Sequence, residues 1–454
     1  MRWVAGVVVA LLLAACTSDP PEPTPDPPPV SDSTPPRVSE TRPPAPTTRP
    51  LVLATNARRP PMDLPKAVAG WIRQGRVTNW KELGQPQAPL RVVDGAGDLR
   101  HLPMNTIAIE VADAVGPGVR VVRVDGVDPI RDPDDYPLQV QGPAPAPVTT
   151  LTVVGDIMLG RGVTGLPALE PMARRLSSAD ITVGNLESTL SDAGPVNPVQ
   201  GDPFHAPPSV RADLRAAGFD AIGLANNHTG DYGDGPLVRT VTLLRQGGLA
   251  TFGAGRDLAQ AREPVVVRRH GTTFGFLGFN AIGETAPAAP GRPGAVSVSM
   301  PPRTGPLDTA ELDRFLADVR RLARRVDVVT VLPHWGEQYT YDPDPVQPVV
   351  ARALVDAGAD LVVGGHPHWV QGADLVGDAL VVNSLGNFVF DMDFSAETME
   401  GLVLEATFWG DRLMAADFVP YRIGPDFAPR VVPVDAATRM LNGFWESSSL
   451  GATP

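Results

Sequence analysis

The sequence predicts an α/β protein, and three observations carry that prediction. Beyond about residue 150, short aliphatic runs alternate with stretches of helical periodicity. Most of these runs are continuous β-branched or aliphatic segments, as strands covered on both faces require. Five of them hand over directly to polar side chains that can ligate a metal or move a proton. That is the pattern expected at the carboxyl edge of an open α/β sheet.

The chain begins M-R-W-V-A-G-V-V-V-A-L-L-L-A-A-C. Arg2 forms a positive n-region, and Val4 to Ala15 is an apolar run too short to span a bilayer comfortably as a mature helix. Leu13-Ala14-Ala15-Cys16 resembles a bacterial lipobox, so residues 1–16 are expected to be a lipoprotein signal peptide with a diacylglycerol on the Cys16 thiol. This implies a lipid anchor on the extracytoplasmic face of the cell membrane; the alternative is a secretory signal with an incidental Cys. Cys16 is the only cysteine, which rules out an intrachain disulfide. Residues 17–50 are Pro, Thr, Ser and acidic residues with almost nothing apolar. Such a segment cannot bury enough surface to fold, and it is expected to be a disordered stalk. No later apolar run is long enough for a transmembrane helix.

Residues 51–140 read as a small α/β module, with strand-like runs at Leu90–Val93 and Val119–Val124. Its segment W-I-R-Q-G-R-V-T-N-W-K-E-L-G (Trp71–Gly84) resembles part of the periplasmic phosphate-binding proteins, in which an amphipathic helix leads into a T-N-W turn. The resemblance implies one lobe of a periplasmic binding protein. Two lobes are needed to clamp a ligand, so a structural or docking role is expected, with a ligand sensor as the other reading. A Pro-rich join, Gln141–Val148, leads into the main domain at 150–430, and residues 431–454 read as a C-terminal tail.

In the main domain the strand candidates are Leu151–Val154, Ile181–Val183, Ala221–Leu224, Phe274–Phe279, Val328–Leu332, Leu361–Val363 and Ala379–Asn383. Helices are expected from Ser209, as N-cap, to Gly218, from Pro236 to Gly247, and from Asp308 to Arg325. In the last of these Leu312, Phe315, Leu316, Val319 and Leu322 share one face, which is a core stripe. The net charge of -13 and the absence of any basic run beyond short Arg pairs argue against nucleic acid as a partner.

Asp156 follows the first of these strands, Asn185 and Glu187 the second, and Asn226-Asn227-His228 the third. His334 follows Val328–Leu332, and His366-Pro367-His368 follows Leu361–Val363. Four of the 7 histidines therefore sit at strand ends. A single such His is more often a satisfied core residue; four, joined by Asp156, Glu187 and Asn227, point to a metal site. Imidazole mixed with carboxylate and amide oxygen suits Mn, Fe or Zn. His366 and His368 can reach two neighbouring ions, and two divalent ions against two carboxylates leave an electropositive site that favours an anionic substrate. Paired metals can also lower the pKa of a water to make a nucleophile near neutral pH.

The strings G-D-I-M-L-G-R, N-L-E, N-N-H, H-W-G, G-H-P-H and S-L-G-N-F-V-F-D, over Thr150 to Ile423, resemble the CapA (poly-γ-glutamate capsule) branch of the calcineurin-like metallophosphatases. The resemblance implies a four-layer α/β/β/α sandwich and a dinuclear centre. By motif, Asp156, Glu187, Asn227, His334, His366 and His368 would be metal ligands, with Glu187 bridging. His228 would be the general acid or would steady the substrate oxyanion. Met158 stands where the wider superfamily has a first-motif His, and Glu187 where it offers a bridging Asp.

Arg161 is a candidate for holding an anionic group or forming a surface ion pair, and Asn387 for contacting substrate or capping a turn. Trp335 and Trp369 read as cleft walls or sugar-stacking platforms, and His205 as a cleft or incidental loop residue. His101 and His270 read as structural or exposed. The function expected is a metal-dependent hydrolase in poly-γ-glutamate or capsule polymer biosynthesis, acting on an anionic polymer or a phosphorylated envelope substrate. The alternatives are a non-catalytic, metal-dependent polyanion-binding or anchoring protein, and a general phosphoesterase. No G-x-S-x-G elbow or P-loop is present, which disfavours serine-hydrolase and nucleoside-triphosphatase chemistry.

Overall fold

The strand Val148–Ile157 shows how sequence places the site. Leu151 and Val153 lie on one side, in a cluster shared with the second sheet, whereas Val154 and Ile157 lie in a cluster shared with helices. Two-residue alternation would keep 151, 153 and 157 together. The register against Ile181–Leu186 shifts between Val153 and Asp156, and this irregularity reverses the parity. Asp156 is thereby turned away from the helix side.

The structure is a computed structural model that describes residues 47–452. Cys16 and nearly all of the 17–50 stalk lie outside the described residues. The described residues form one unit with two large sheets. In the first sheet the order is Ala250–Phe252, Ala221–Gly223, Ile181–Leu186, Val148–Ile157, Glu400–Trp409, Arg412–Ile423 and Pro429–Val431, with Asn387–Val389 also pairing to Val148–Ile157. Its first four strands are parallel, and the other three join antiparallel. In the second sheet Thr272–Asn280, Val328–His334, Leu361–Val363 and Ala379–Leu385 are parallel, with antiparallel edges Val265–Arg269 and Val370–Val376.

All seven expected strands are present. One buried cluster joins Leu151, Val183 and Leu404 of the first sheet to Phe276, Val328 and Val382 of the second. A second cluster joins the first sheet to helices Glu170–Leu176, Val210–Ala217 and Asp234–Gln246. A third joins the second sheet to helices Thr309–Ala323 and Gln347–Asp356. The Leu312–Leu322 stripe lies in that third core, and the Asp308 carboxylate caps its helix by accepting from the N–H groups of Ala310 (2.9 Å) and Glu311 (3.0 Å). Ser209 sits at its expected helix start without a side-chain cap bond.

Three boundaries need correction. The first strand runs Thr48–Asn56, so the stalk ends before residue 48 and not at 50. The 51–140 segment has its own sheet (Arg91–Asp94, Thr106–Val111, Thr48–Asn56 and Val119–Val121, with Gln139–Gln141) but is not free-standing. Its Val52, Ala54 and Ile130 share a core with Trp409 and Met414, and Arg120 and Arg131 pair with Asp417 and Glu405. Within it Trp80–Leu83 is a short 3₁₀ turn closed by an Asn79–Glu82 capping box, which explains the T-N-W-K-E string. The expected tail at 431–454 is, through residue 452, packed structure: Val434–Glu446 is a helix whose Phe444 and Trp445 are buried against Phe418. Asn56 Nδ2 donates to Gly451 O, and the Arg58 guanidinium donates to Ser448 O and Leu450 O, which fastens the segment to the first strand. Trp445→Ala should therefore destabilise the whole unit by roughly 3–5 kcal/mol, measured by urea denaturation; a change within error would mean that this helix is peripheral.

Asp360, at the start of Leu361–Val363, carries a second stability prediction. Burial raises its carboxyl to about 6, although the Val329 N–H donates to it at 2.7 Å. A folded-state value above the unfolded one favours the folded chain at low pH, and that advantage is lost as pH rises through about 6. Asp360→Asn keeps an oxygen for Val329 and cannot ionise. It should stabilise the protein by about 2 to 3 kcal/mol above pH 7 and by nothing below pH ~4. Thermal melts at the two pH values decide it, and an equal effect at both would refute the assignment.

Candidate metal centre

The ends of parallel strands from both sheets meet at one place. Asp156 and Asn185 face each other in register on neighbouring strands, and Glu187 follows two residues later. Asn226, Asn227 and His228 follow Ala221–Gly223. From the second sheet come His334, the last residue of its strand, and His366 and His368, just beyond Leu361–Val363. Backbone packing allows this only where side chains are absent. A Cβ on Gly155 would lie 1.9 Å from Gly386 O, and one on Gly365 would lie 2.5 Å from Asp156 Oδ1. His366 (φ 97°) and His368 (φ 60°) are in the left-handed region, a strained backbone of the kind that collects at functional sites.

The contacts form one network. Asp156 Oδ1 accepts from Asn185 Nδ2 at 2.9 Å, and Asp156 Oδ2 accepts from the His366 backbone N–H at 2.9 Å. Asn185 Nδ2 also lies 3.3 Å from Glu187 Oε1 and 3.2 Å from His334 Nδ1. His334 Nε2 is 2.9 Å from Asn227 Oδ1 and 3.6 Å from Glu187 Oε1, while His368 Nδ1 is 3.8 Å from Asp156 Oδ2. The His366 ring lies 5.1 Å from that of His334 and 5.8 Å from that of His368. All six expected ligands thus belong to this cluster, and Asp156, Glu187, Asn227, His334, His366 and His368 are all buried.

Does this set fit a metal? Asp156, Glu187 and His334 each bring a donor atom within 4.8 Å of the others. Both ring nitrogens of His366 and Oε2 of Glu187 are buried without a hydrogen-bond partner among the described residues. Such orphans are costly unless something else satisfies them. Burial pushes the His334 imidazole down to about 3, takes His366 well below its usual range and lowers His368. All three shifts favour the neutral imidazole, the form that ligates. Burial, and then the Asp156 charge, raise Glu187 well above the carboxylate range, a cost that a cation would remove. The residues present fit a buried divalent cation.

His228 lies at the edge of the cluster. Its Nδ1 is 2.9 Å from Asp231 Oδ2, and its ring stacks on Phe204 at 3.7 Å. Asp231 also accepts from Gln200 Nε2 and Phe204 N, both at 2.6 Å. Burial raises the Asp231 carboxyl, and the His228 contact opposes that.

Other candidates fall differently. Arg161 is tied by ion pairs to Asp202 and Asp391, so the ion-pair alternative is the one observed. Asn387 is wholly buried and engaged at both ends: Oδ1 meets His368 Nδ1 at 2.8 Å, and Nδ2 donates to Thr398 O at 3.0 Å. Its side chain is thus taken up by His368 and Thr398. Trp335 is core, its Nε1 donating to Asn383 O, and so is not a cleft wall. Trp369 sits beside Tyr339 and Tyr341. Met158 is fully buried, and its sulfur accepts from Gly160 N, so it points to packing. His205 is half-exposed near Asp192, His270 pairs with Asp180, and His101 meets Ala452 O.

Three partners were missed. Asn185 was visible in G-N-L-E, but only strand register shows that its amide reaches Asp156, Glu187 and His334 together. Asp231, three residues after His228, had a spacing signal. Glu284, which accepts from Asn227 Nδ2 at 2.8 Å and pairs with Arg303, had none.

The family model described as bacterial capsule synthesis protein PGA_cap matches residues 150–392, more than half the chain and all six expected ligands of the cluster. The chain belongs to the PGA_cap family. It is 28% identical over 343 residues to the capsule biosynthesis protein CapA of Bacillus anthracis, covering 73% of this chain and 79% of that protein. It is 30% identical over 272 residues to the PGA biosynthesis protein CapA of Bacillus subtilis (strain 168), covering 56% and 67%. A solved structure of a phosphatase from Mycoplasma pneumoniae aligns with 65% of this chain and 97% of its own at 11% identity and a TM-score of 0.37, a likeness that says nothing of activity. The PGA_cap match stops at residue 392, before the hairpin of Glu400–Trp409 and Arg412–Ile423 that completes the first sheet.

Proposed function

We propose that this PGA_cap protein is a metal-dependent hydrolase acting on an anionic cell-envelope polymer, in poly-γ-glutamate or capsule biosynthesis or processing. The single observation that carries the reading is the convergence of six potential ligands, with orphaned His366 nitrogens and a stranded Glu187 oxygen, on one buried point between two sheets. The three buried clusters support describing the main domain as an α/β/β/α sandwich. Two divalent ions, Mn, Fe or Zn, would be held by Asp156, Glu187, Asn227, His334, His366 and His368. When bound they would supply Lewis acidity at the scissile bond and a lowered pKa for an attacking water. His228 moves the proton: Asp231 fixes Nδ1, Phe204 fixes the ring plane, and Nε2 is left to protonate a leaving oxygen or nitrogen. Asn387 and Asn185 hold His368 and Asp156 in place for their task. In this proposal the chain is attached to the membrane through a lipid on Cys16 and faces outward.

One observation favours a second reading, metal-dependent gripping of a polyanion without turnover: Met158 packs in the core where a further His ligand would stand. The test is elemental analysis of the purified chain together with a hydrolysis screen on phosphomonoesters, phosphodiesters and γ-glutamyl chains, with and without chelator. Bound transition metal with chelator-sensitive turnover is expected. Metal and polymer binding without turnover would favour the second reading, and a folded chain that takes up no divalent ion would end both.

A further inference from the structure

A cavity of about 330 Å³ lies away from the metal cluster and shares no residue with it. It sits where the N-terminal module, the strand Arg412–Ile423 and the helix Val434–Glu446 meet. Six arginines line it (58, 59, 120, 123, 131 and 175) against three carboxylates, Asp128, Glu405 and Asp417, in a chain whose net charge is -13. The pairing is incomplete. Arg131 and Arg175 share the single carboxylate of Glu405. Arg120 takes Asp417, and Arg123 takes Asp128. Arg58 meets only the carbonyls of Ser448 and Leu450, and Arg59 lies 3.4 Å over the Trp80 ring; neither has a carboxylate partner among the described residues.

Two buried polar atoms on the lining point the same way. Thr407 is wholly buried, and neither its Oγ1 nor Arg131 Nε has a hydrogen-bond partner among the described residues. Burial also pulls Arg58 and Arg59 below the usual guanidinium range, as unscreened positive charge in a partly dry wall would be. Much of the remaining wall is apolar (Met62, Phe418, Leu441 and Trp445, with Val434 at the mouth), interrupted by Thr438 and Asn442. A volume of this size is at the lower end for small-molecule pockets.

We infer that this cavity binds an amphipathic anion, a carboxylate or phosphate head on an apolar chain, with the head among Arg58, Arg131 and Thr407 and the chain against Phe418 and Trp445. A bare polyanion would leave the apolar wall unused, and a neutral lipid would leave the surplus positive charge unanswered. The inference does not rest on the hydrolase reading.

The test uses the full chain and isothermal titration with decyl phosphate, decanoate, decanol and inorganic phosphate. One of the two amphipathic anions should bind saturably, one per chain, and which head binds tighter distinguishes a phospholipid-like from a fatty-acid-like source. Decanol and inorganic phosphate should bind at least about tenfold more weakly, since each satisfies only half of the site. Arg58→Gln should weaken binding about tenfold. Because Arg58 also fastens the C-terminal segment, Val434→Glu serves as the second variant: Val434 is 75% exposed, so a carboxylate there repels the ligand without entering the core. Metal content should be unchanged in both. The inference is overturned if decanol or inorganic phosphate binds as tightly as decyl phosphate and decanoate, if no probe saturates, or if Val434→Glu binds like the wild type.

Discussion

Asp156→Ala should reduce bound transition metal to about a tenth of the wild-type content or less, because even residues that merely orient ligands commonly cost 10–100-fold in affinity. Asp156 does more than orient. It is in register with Asn185, accepts the His366 N–H, and stands 3.8 Å from His368 Nδ1, so it bridges the contributions of both sheets. Its loss without metal is partly offset, because burial and Asp156 together make Glu187 costly to ionise, and removing one carboxylate relieves the other. The metal-free variant should therefore melt close to the metal-free wild type, while the stabilisation that metal adds to the wild type disappears. Elemental analysis and melts with and without chelator separate the two effects. Unchanged metal content would remove Asp156 from the ligand set.

His228→Ala should leave metal content intact and lower hydrolysis by roughly 10²–10⁴-fold, the usual worth of a positioned proton-transfer group. The His228 ring contacts Asp231 and Phe204, and among the described residues it has no hydrogen bond to the side chains of the six proposed ligands, so its loss should leave them in place. Asp231→Asn should act in the same direction by a smaller factor. It keeps a polar partner for Nδ1 but loses the charge that would stabilise the imidazolium from which the proton is given. The ratio of metal content to turnover is the measurement that matters. Equal rates in wild type and His228→Ala would show that the proton comes from elsewhere.

Much of this was legible in the sequence because parallel, doubly covered strands leave continuous aliphatic runs, and the residue following each run lands on one edge. Asp156, His334 and His366 could be placed by that rule alone. The hairpin of Glu400–Trp409 and Arg412–Ile423 escaped it, because Glu405 and Asp417 interrupt the apolar run and face the N-terminal module. The helix Val434–Glu446 looked like a tail for a related reason. Val434 is exposed, and the helix's anchoring residues, Phe444 and Trp445, come only at its end. The contact of Asn387 with a histidine nineteen residues earlier could not be read from the sequence, because it depends on strand pairing. Asn185 needed register, and Glu284 needed the fold.

The bonds from Asn56 and Arg58 to residues 448–451 close a loop of almost four hundred residues, with Asn56 and Gly451 separated by 395 positions. A clasp of that span cannot nucleate anything; it forms only after the intervening chain has already collapsed. The module at the front of the sequence should accordingly be among the last parts to become protected in a hydrogen-exchange time course, even though it emerges early during synthesis. A chain cut short near its far end would show the damage first at its beginning.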